Sequence, residues 1–266
     1  MQRTCLIDFS KFPAADTRLG VLLRLPLKAL PSHLVVPILQ GPLRGRKWIV
    51  GSSIHRCWLG SYEPAKVELV ARLTRPGMVA FDIGAHVGLY TILFSQLTGS
   101  TGRVVAFEPL PSNVQYLREH VRLNGLANVT IVQSAVAERQ GRSRFTRTAS
   151  TYTGHLANDG DIQVDQVGID QLIAADSVPA PDLMKIDVEG AEEEVLAGAS
   201  HALRTRKPIV LLSTHTQAAQ ARCCEILQNC GYATSAINGR SVENSDEIVA
   251  IPSQSQLGSR RSIDVR

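Results

Sequence analysis

The most constraining feature of this sequence is a regular alternation of short apolar runs and longer amphipathic segments that begins near Met78. Runs rich in Val, Ile and Leu predict buried strands, and the segments between them repeat their apolar residues at helical spacing. The predicted strands cover 78–83, 103–108, 129–133, 182–187 and 208–213, and the predicted helices cover 88–97, 112–124, 170–174, a segment ending near 202, and 217–229. Because each helix carries the chain back across the sheet, such strands pair in parallel. The sequence therefore predicts an α/β fold.

The pattern changes after residue 229. Two strand-like runs, 232–237 and 247–251, flank an Asn238-Gly239 turn signal, which predicts a terminal antiparallel hairpin. Together with the preceding strands this predicts a mostly parallel seven-stranded sheet. Earlier in the chain, residues 141–167 are polar and rich in turn-forming residues. That composition predicts a hairpin or a mobile insertion that covers a substrate.

The length of 266 residues suits one domain with extensions. We predict a partly helical N-terminal extension over 1–47, the main domain over 48–252 and a flexible tail over 253–266. The stretch 19–39 is the most apolar of the chain, but charged residues and prolines interrupt it, which disfavours a transmembrane helix. Two roles stay open for this stretch: packing on the core, or peripheral contact with a membrane surface.

Charge and cysteine content exclude several classes of protein. The formal net charge of +4, part of it in the tail, does not predict binding to nucleic acid. The acidic run Glu192-Glu193-Glu194 is predicted to form a solvated helix face. The five cysteines contain no CxxC pair, so neither a zinc site nor a disulfide framework is predicted. Reduced thiols fit a cytoplasmic location. The oligomeric state stays open.

The segment FDIGAHVG, residues 81–88, directly follows the first predicted strand and opens a helix. Gly84 and Gly88 allow a tight turn and a close approach of the backbone to a ligand. A dinucleotide-binding loop reads GxGxxG because a pyrophosphate sits on the helix N-terminus, whereas this segment reads DxGxxxG. Since the carboxylate of Asp82 would repel a phosphate, the spacing favours a cationic ligand without phosphate.

Three further strands end in residues that face the same ligand. Glu108 ends the second strand, where a carboxylate accepts hydrogen bonds from ribose hydroxyls. Ser134 and Ala135 end the third strand, where they either flank an adenine or form an ordinary turn. Asp187 ends the fourth strand, in the segment LMKIDVEG. Ligands of open α/β sheets bind in the crevice at the carboxyl ends of the strands, so these positions predict a nucleoside site.

The segments FDIGAHVG, FEPLPSNVQYLREHVRLN and LMKIDVEGAEEEVLAGA, in this order, resemble the motifs of the FkbM family of methyltransferases. The resemblance covers roughly residues 60–215. It implies a Rossmann-like class I methyltransferase fold with S-adenosyl-L-methionine as the methyl donor. It also implies a small-molecule or glycan acceptor, usually O-methylated on a hydroxyl of a sugar, glycan or secondary metabolite.

The resemblance further implies roles for individual residues. The loop after the first strand would hold the methionine part of the donor, Glu108 would hold the ribose, and Asp187 and Glu189 would line the reaction centre. The upstream segment WLGSYEP, residues 58–64, resembles the family's lead-in and implies that Tyr62 and Glu63 close over the donor. The full set assigned to donor binding is Glu63, Asp82, Gly84, Ala85, Gly88, Glu108, Ser134 and Ala135.

One motif departs from the family pattern, in which the fifth strand commonly ends in Glu-x-His. Here the strand ends in Ser213-Thr214-His215, so the acidic position is neutral. Since hard cations need several oxygen ligands, this departure disfavours a metal site, and none is predicted. As general base for the acceptor hydroxyl, His215 ranks first and Asp187 second, ahead of the loop residues His86 and His155.

Three other functions stay open at this point. A nicotinamide-dependent dehydrogenase would share the nucleoside site, although the DxGxxxG spacing disfavours it. A nucleic-acid or protein methyltransferase often carries an Asn/Asp-Pro-Pro-aromatic run after the fourth strand, where this chain has Asp187-Val-Glu-Gly190. A protein that keeps the fold without catalysis is the third, because the fifth strand lacks its usual acidic residue.

Overall fold

The structure is a computed structural model that describes residues 17, 27, 29–147, 154–156, 162–237, 239 and 241–253. Its strands, in chain order, are β1 (Val35–Pro37), β2 (Lys47–Ile49), β3 (Val79–Ile83), β4 (Arg103–Phe107), β5 (Val129–Val132), β6 (Ala135–Val136), β7 (Gly141–Arg147), β8 (Gly154–Leu156), β9 (Ile162–Val167), β10 (Leu183–Ile186), β11 (Ile209–Ser213), β12 (Tyr232–Ala236) and β13 (Glu247–Pro252). Its α-helices are α1 (His55–Leu59), α2 (Pro64–Leu73), α3 (Leu89–Thr98), α4 (Pro111–Leu123), α5 (Ile169–Ala174), α6 (Glu192–Gly198), α7 (Ser200–Thr205) and α8 (Gln217–Asn229). Short 3-10 helices cover Val50–Ser52 and Val242–Asn244.

Seven strands form the main sheet, in the order β12-β13-β11-β10-β3-β4-β5. The run from β11 to β5 is parallel, while β13 is antiparallel to both β11 and β12. The predicted α/β fold, with a mostly parallel seven-stranded sheet and a terminal antiparallel hairpin, is confirmed. In addition, β13 inserts between β11 and β12, a placement that the hairpin prediction did not contain.

The central strands are buried on both faces. Met184 and Ile186 of β10 belong to one hydrophobic cluster, and Leu183 belongs to a second cluster on the opposite face. Strands of this kind carry apolar residues at successive positions, which is why they read as continuous apolar runs in the sequence. Lys185 interrupts the run in β10, and it is also buried, with 3% of its surface exposed. A buried lysine needs an anionic partner, which the site below supplies.

The strand order reverses between β3 and β10. The chain builds β3, β4 and β5 outward on one side and then adds β10 and β11 on the other side of β3. Such a reversal opens a crevice at the carboxyl ends of the two central strands. Ile83 and Ile186 pair in register, and the Asp187 amide donates to the Ile83 carbonyl at 3.0 Å. The loops after β3 and β10 therefore meet at one edge.

Three predicted elements take a more detailed form. The insertion at 141–167 belongs to a second, four-stranded sheet in the order β6-β9-β7-β8, so its hairpin is confirmed where the residues are described. His155, predicted in a loop, lies in β8. The helix after β10 is divided into α6 and α7 at Ala199. α4 begins at Pro111, where the missing N–H of proline leaves no donor unpaired.

The N-terminal part of the described chain forms an antiparallel ribbon of β1 and β2. The ribbon pairs β1, which lies within the predicted extension, with β2, which spans residue 48, the predicted start of the main domain. The boundary between the extension and the main domain stays a prediction. Most of the predicted helical part of 1–47 and the tail after residue 253 lie outside the described residues. Within the described part of the chain, no helix has the length and apolar character needed to cross a membrane.

His120 of α4 joins the ribbon to the core. Its ring is fully buried and stacks on Trp48 at 4.1 Å between centroids. Its Nε2 accepts from the Ile49 amide at 3.0 Å, and its Nδ1 donates to the Val87 carbonyl at 2.7 Å. One donor and one acceptor nitrogen define a neutral imidazole. Burial, which outweighs the bond to Val87, lowers the pKa of His120 to about 4.

We expect the free energy of unfolding to fall by roughly 3 kcal/mol between pH 7 and pH 4 through His120 alone. The unfolded chain takes up a proton at the ordinary histidine pKa of 6.5, whereas the folded chain resists it until about 4. This stability is therefore present above pH 6.5 and lost as the pH falls toward 4. The free energy of unfolding of His120→Gln, measured with urea across this pH range, should lack the part of the pH dependence that His120 contributes. The exposed His33→Gln variant should keep it; equal slopes in both variants would contradict the assignment.

Candidate active site

A cavity of about 790 Å³ opens at the carboxyl ends of β3, β4, β10 and β11. It collects most of the residues that the sequence predicted for one site. The predicted site residues that line it are Glu63, Gly84, Ala85, Glu108, Ser134, Ala135, Asp187, Glu189 and His215. Residues from the N-terminal part, including Leu27, Leu30 and His55, complete its wall. Fold topology thus brings together segments that lie far apart in the sequence.

Asp82 and Gly88, also predicted to bind the donor, are not part of the cavity lining. The Asp82 side chain is fully buried, where its Oδ2 accepts from the Thr91 hydroxyl at 2.6 Å. Its Oδ1 lies 3.6 Å from Lys185 Nζ. Asp82 therefore lies outside the cavity lining and neutralises Lys185, a buried lysine that belongs to the lining. Its direct contact with a donor remains a prediction that this placement does not favour.

Gly84 is required by a close approach between two loops. Its φ is +76°, and a Cβ at this position would lie 1.9 Å from the Asp187 carbonyl oxygen. The amides of Gly84 and Ala85 both donate to the Phe107 carbonyl, at 3.0 and 2.9 Å. These contacts tie the loop after β3 to the ends of β10 and β4. Gly88 has φ +99° and faces the Leu117 side chain, so it serves the start of α3.

Glu108 lies at the end of β4 with a largely occupied carboxylate. Its Oε2 accepts from the His86 amide at 2.8 Å, and its Oε1 accepts from the Leu110 amide and Asn113 Nδ2 at 3.0 and 3.1 Å. A carboxylate offers about four acceptor positions, so about one remains for a ribose hydroxyl. Burial, only partly offset by these bonds, raises the pKa of Glu108 to about 7.

Three lining residues other than glycine have left-handed backbone conformations. They are Glu63 at φ 41°, His86 at φ 52° and Glu189 at φ 57°. Such conformations are uncommon outside glycine and cluster at functional sites, because the surrounding contacts must hold them. Tyr90 holds one of them by donating from its hydroxyl to Glu63 Oε2 at 2.6 Å. The loops that carry Glu63, His86 and Glu189 border one cavity, so the strain is concentrated at this site.

Asp187 is held between two buried lysines. Its Oδ2 lies 3.6 Å from Lys66 Nζ and 3.5 Å from Lys185 Nζ. Burial alone would raise the pKa of Asp187, but the two cations and His215 outweigh it and lower the pKa to about 2. Asp187 is therefore ionised at neutral pH. A carboxylate this acidic is a poor proton acceptor, which leaves His215 as the better base.

Lys66, in the first turns of α2, is the second cation and carries no sequence motif of its own. Its Nζ donates to Ser213 Oγ at 2.6 Å and to Glu247 Oε1 at 2.8 Å, and it lies 3.4 Å from Glu63 Oε2. Only 3% of the residue is exposed. Burial acts to lower the pKa of Lys66, but the carboxylates of Asp187, Glu63 and Glu247 raise it above its usual range.

Glu247 supplies the carboxylate that is lacking in β11, the fifth of the strands predicted from the sequence. Ser213 of β11 and Glu247 of β13 are partners across the antiparallel pair. The Ser213 hydroxyl lies 3.2 and 3.3 Å from the two carboxylate oxygens of Glu247. The neutral position in Ser213-Thr214-His215 therefore has an anion beside it, contributed by a neighbouring strand.

His215 follows β11 and faces the acidic segment after β10. Its Nδ1 lies 2.9 Å from Glu192 Oε1, and its Nε2 lies 3.3 Å from Glu189 Oε2 and 3.9 Å from Asp187 Oδ1. The hydrogen bond to Glu192, aided by Glu189 and Asp187 and opposed by burial, raises the pKa of His215 to about 8. The prediction that 192–194 is a solvated face is wrong for Glu192, which is fully buried because its side chain turns back toward Gly190 and His215.

Sequence reasoning missed five charged residues of this site: Lys66, Lys185, Glu192, Asp246 and Glu247. For Lys185 a signal existed, because a lysine within a continuous apolar strand requires a buried partner. For Lys66 and Glu247 the sequence contained no such signal. Each belongs to a segment whose pattern is explained by a helix or a strand alone.

The cavity carries an excess of negative charge. Six carboxylate residues line it: Glu63, Glu108, Asp187, Glu189, Asp246 and Glu247. Among the described lining residues, the cations that oppose them are Lys185 and, near neutral pH, His215, whose pKa is raised to about 8. Such a lining suits a ligand with a sulfonium and an ammonium group, and Glu108 keeps acceptor capacity for a ribose. The residues present therefore fit S-adenosyl-L-methionine.

The sheet order, with β13 antiparallel beside β11 and the glycine turn after β3, defines a class I methyltransferase fold. A solved methyltransferase FkbM from Methylobacillus flagellatus KT shares this fold, with a TM-score of 0.50, 18% identity and coverage of 75% of this chain and 55% of that one. The chain belongs to the FkbM methyltransferase family, because the family model described as Methyltransferase FkbM domain matches residues 82–234, more than half of its length. Its methyl donor is S-adenosyl-L-methionine, and the dehydrogenase alternative is not supported.

Two curated relatives align with this chain. The 31-O-demethyl-FK506 methyltransferase FkbM of Streptomyces tacrolimicus is 30% identical over 175 residues, which cover 53% of this chain and 66% of that protein. The hexuronic acid methyltransferase AglP of Haloferax volcanii is 29% identical over 130 residues, 48% of this chain and 52% of that protein. The alignments thus span between about half and two thirds of these relatives.

We expect Lys66→Met to lower the free energy of unfolding by ~2–3 kcal/mol, because it removes the charged hydrogen bonds of a buried lysine to partly buried carboxylates. Adding Glu247→Gln should recover ~1 kcal/mol or more, since the two side chains are coupled. Urea unfolding of both variants measures the effect. Arg122→Met, at an exposed helix pair, is the control and should change little. Strictly additive losses from Lys66→Met and Glu247→Gln would contradict the network.

Proposed function

We propose that this methyltransferase acts on oxygen, transferring a methyl group to a hydroxyl of a sugar, glycan or secondary metabolite. The observation that carries the proposal is His215, whose imidazole lies at the carboxyl end of the sheet with its Nε2 beside Asp187 and Glu189. Transfer to a hydroxyl requires removal of a proton, for which an imidazole is suited near neutral pH. The name of the relative from S. tacrolimicus, which states 31-O-demethyl-FK506 as what it methylates, supports an oxygen acceptor.

In this proposal the glycine turn at Gly84 and Ala85 holds the methionine part of the donor, Glu108 accepts from a ribose hydroxyl, and Ser134 and Ala135 flank the adenine. S-adenosyl-L-methionine supplies an electrophilic methyl group on a sulfonium. His215 Nε2 removes the proton of the acceptor hydroxyl, and the oxygen of that hydroxyl takes the methyl group, whose bond to the sulfonium sulfur breaks to leave S-adenosylhomocysteine. Asp187, anchored by Lys66 and Lys185, stays ionised and aligns the charged groups of the reaction centre.

The excess of carboxylates narrows the class of acceptor. An anionic group near Asp187, Glu189 or Glu247 would be repelled, and no arginine lies among the described lining residues to receive it. We therefore propose an acceptor that is uncharged near its reacting hydroxyl. Leu27, Leu30 and other apolar lining residues suit an apolar part of the same molecule.

We expect His215→Asn to lower turnover ~100- to 10,000-fold while the affinity for S-adenosylhomocysteine, measured by calorimetry, changes little. The acceptor is first identified by the uptake of labelled methyl groups in fractions of a glycan and lipid extract. In the unaltered protein, kcat/KM should rise with pH and level off above about 8, because only neutral His215 accepts a proton. The exposed His201→Asn is the matched control. Full activity of His215→Asn would overturn the assignment of His215 as the base. Binding of S-adenosylhomocysteine without methyl labelling of any fraction would favour a non-catalytic protein.

The charge of the acceptor is tested with a pair of compounds that differ in one group. We expect the neutral acceptor to exceed its carboxylate derivative at least ~10-fold in kcat/KM, because the cavity repels an anion. Asp246→Asn, which removes one lining carboxylate, should narrow the difference. A preference for the carboxylate derivative would contradict the proposal.

A further inference from the structure

We infer that Glu192 is a positioning residue that fixes the tautomer and the ring orientation of His215, so that Nε2 is the nitrogen presented to the acceptor. The inference rests on the proposed function in one respect only, the use of His215 as a base. The contacts of Glu192 with His215 and Gly190 lie within the protein chain itself.

The hydrogen bonds of Glu192 define the tautomer. Glu192 Oε1 accepts from the Gly190 amide at 2.9 Å and lies 2.9 Å from His215 Nδ1. Glu192 Oε1 accepts from the Gly190 amide, so this oxygen is a hydrogen-bond acceptor on the side that faces His215 Nδ1. Nδ1 therefore carries a proton. In neutral His215 the proton stays on Nδ1, because the Glu192 contact of 2.9 Å at Nδ1 is shorter than the Glu189 contact of 3.3 Å at Nε2, and Nε2 is then the acceptor.

The opposite side of the ring faces the reaction centre. Nε2 lies 3.3 Å from Glu189 Oε2 and 3.9 Å from Asp187 Oδ1, and both residues line the cavity. One carboxylate thus contacts His215 at Nδ1. Nε2, on the other side of the ring, faces a site that contains two other carboxylates. Its side chain is 34% exposed, whereas Glu192 is fully buried. The partly exposed ring is oriented by the buried group, not by solvent.

The other charged and titratable groups around this pair do not replace Glu192. Asp187 and Glu189 lie at the Nε2 side, and Asp246 and Glu247 line the cavity from the β13 segment. From α8, the buried thiol of Cys223 has its pKa raised to about 12 by burial and by Glu192, so it stays neutral. At Nδ1 the described structure has a single carboxylate contact, from Glu192. The Glu192 Oε2 atom has no hydrogen-bond partner among the described residues, so no second group competes for the orientation of the carboxylate.

The test compares Glu192→Gln with Glu193→Gln. Glu193 is adjacent in sequence but pairs with Arg222 at the surface, at 2.7 Å, and so is a matched control. NMR titration of the protein with labelled histidine and without donor should give a His215 pKa that falls by about one unit or more in Glu192→Gln. The nitrogen shifts should change from one tautomer to a mixture. Glu193→Gln should leave both unchanged.

The kinetic arm uses the acceptor identified by methyl labelling. Glu192→Gln should lower kcat ~10- to 1000-fold, leave the affinity for S-adenosylhomocysteine unchanged, and move the rise of kcat/KM to lower pH. If Glu192→Gln does not fold, Glu192→Asp, which keeps the charge but shortens the side chain, should give a smaller shift of the His215 pKa in the same direction. An unchanged titration in the folded variant overturns the inference. A shifted titration with unchanged kcat overturns instead the use of His215 as the base.

Discussion

The site depends on two buried lysines that hold carboxylates together at the ends of the central strands. Lys185 lies between Asp82 and Asp187, and Lys66 lies between Asp187 and Glu247. Without these cations, so many carboxylates in one buried region would repel each other or take up protons. Asp187 lies beside both lysines, and their positive charges keep it ionised. The lysines thereby allow a negatively charged cavity to exist beside a hydrophobic core, and such a cavity suits a cationic methyl donor.

This arrangement also explains how the chain accommodates a serine at a position that is usually acidic in its family. β13 inserts between β11 and β12 and pairs Glu247 with Ser213. The neighbouring strand therefore places a carboxylate beside Ser213, and Lys66 donates to that carboxylate at 2.8 Å. His215, two residues after Ser213, meanwhile receives its negative partner from α6.

Apart from Glu63, which precedes α2, the lining residues that sequence analysis found share one property: each stands near the end of a strand or in a glycine turn, where the local pattern itself marks an edge of the sheet. Gly84, Glu108, Asp187 and His215 are of this kind, and the structure gathers them around one cavity. Lys66 and Glu247 lie within a helix and a strand whose patterns are complete without any function. Glu192 belongs to a run of three acidic residues, and no periodic pattern distinguishes the buried one from its exposed neighbours.

The sequence by itself determined the α/β class, the parallel sheet, the glycine turn after β3 and the family, because these depend on local patterns of apolar residues and on contiguous motifs. The tertiary structure alone decided the register that sets Glu247 beside Ser213, the return of α2 that brings in Lys66, and the burial of Glu192 behind His215. These contacts join residues between 23 and 181 positions apart. Such pairings follow from strand order and helix packing, and neither is encoded in a short segment.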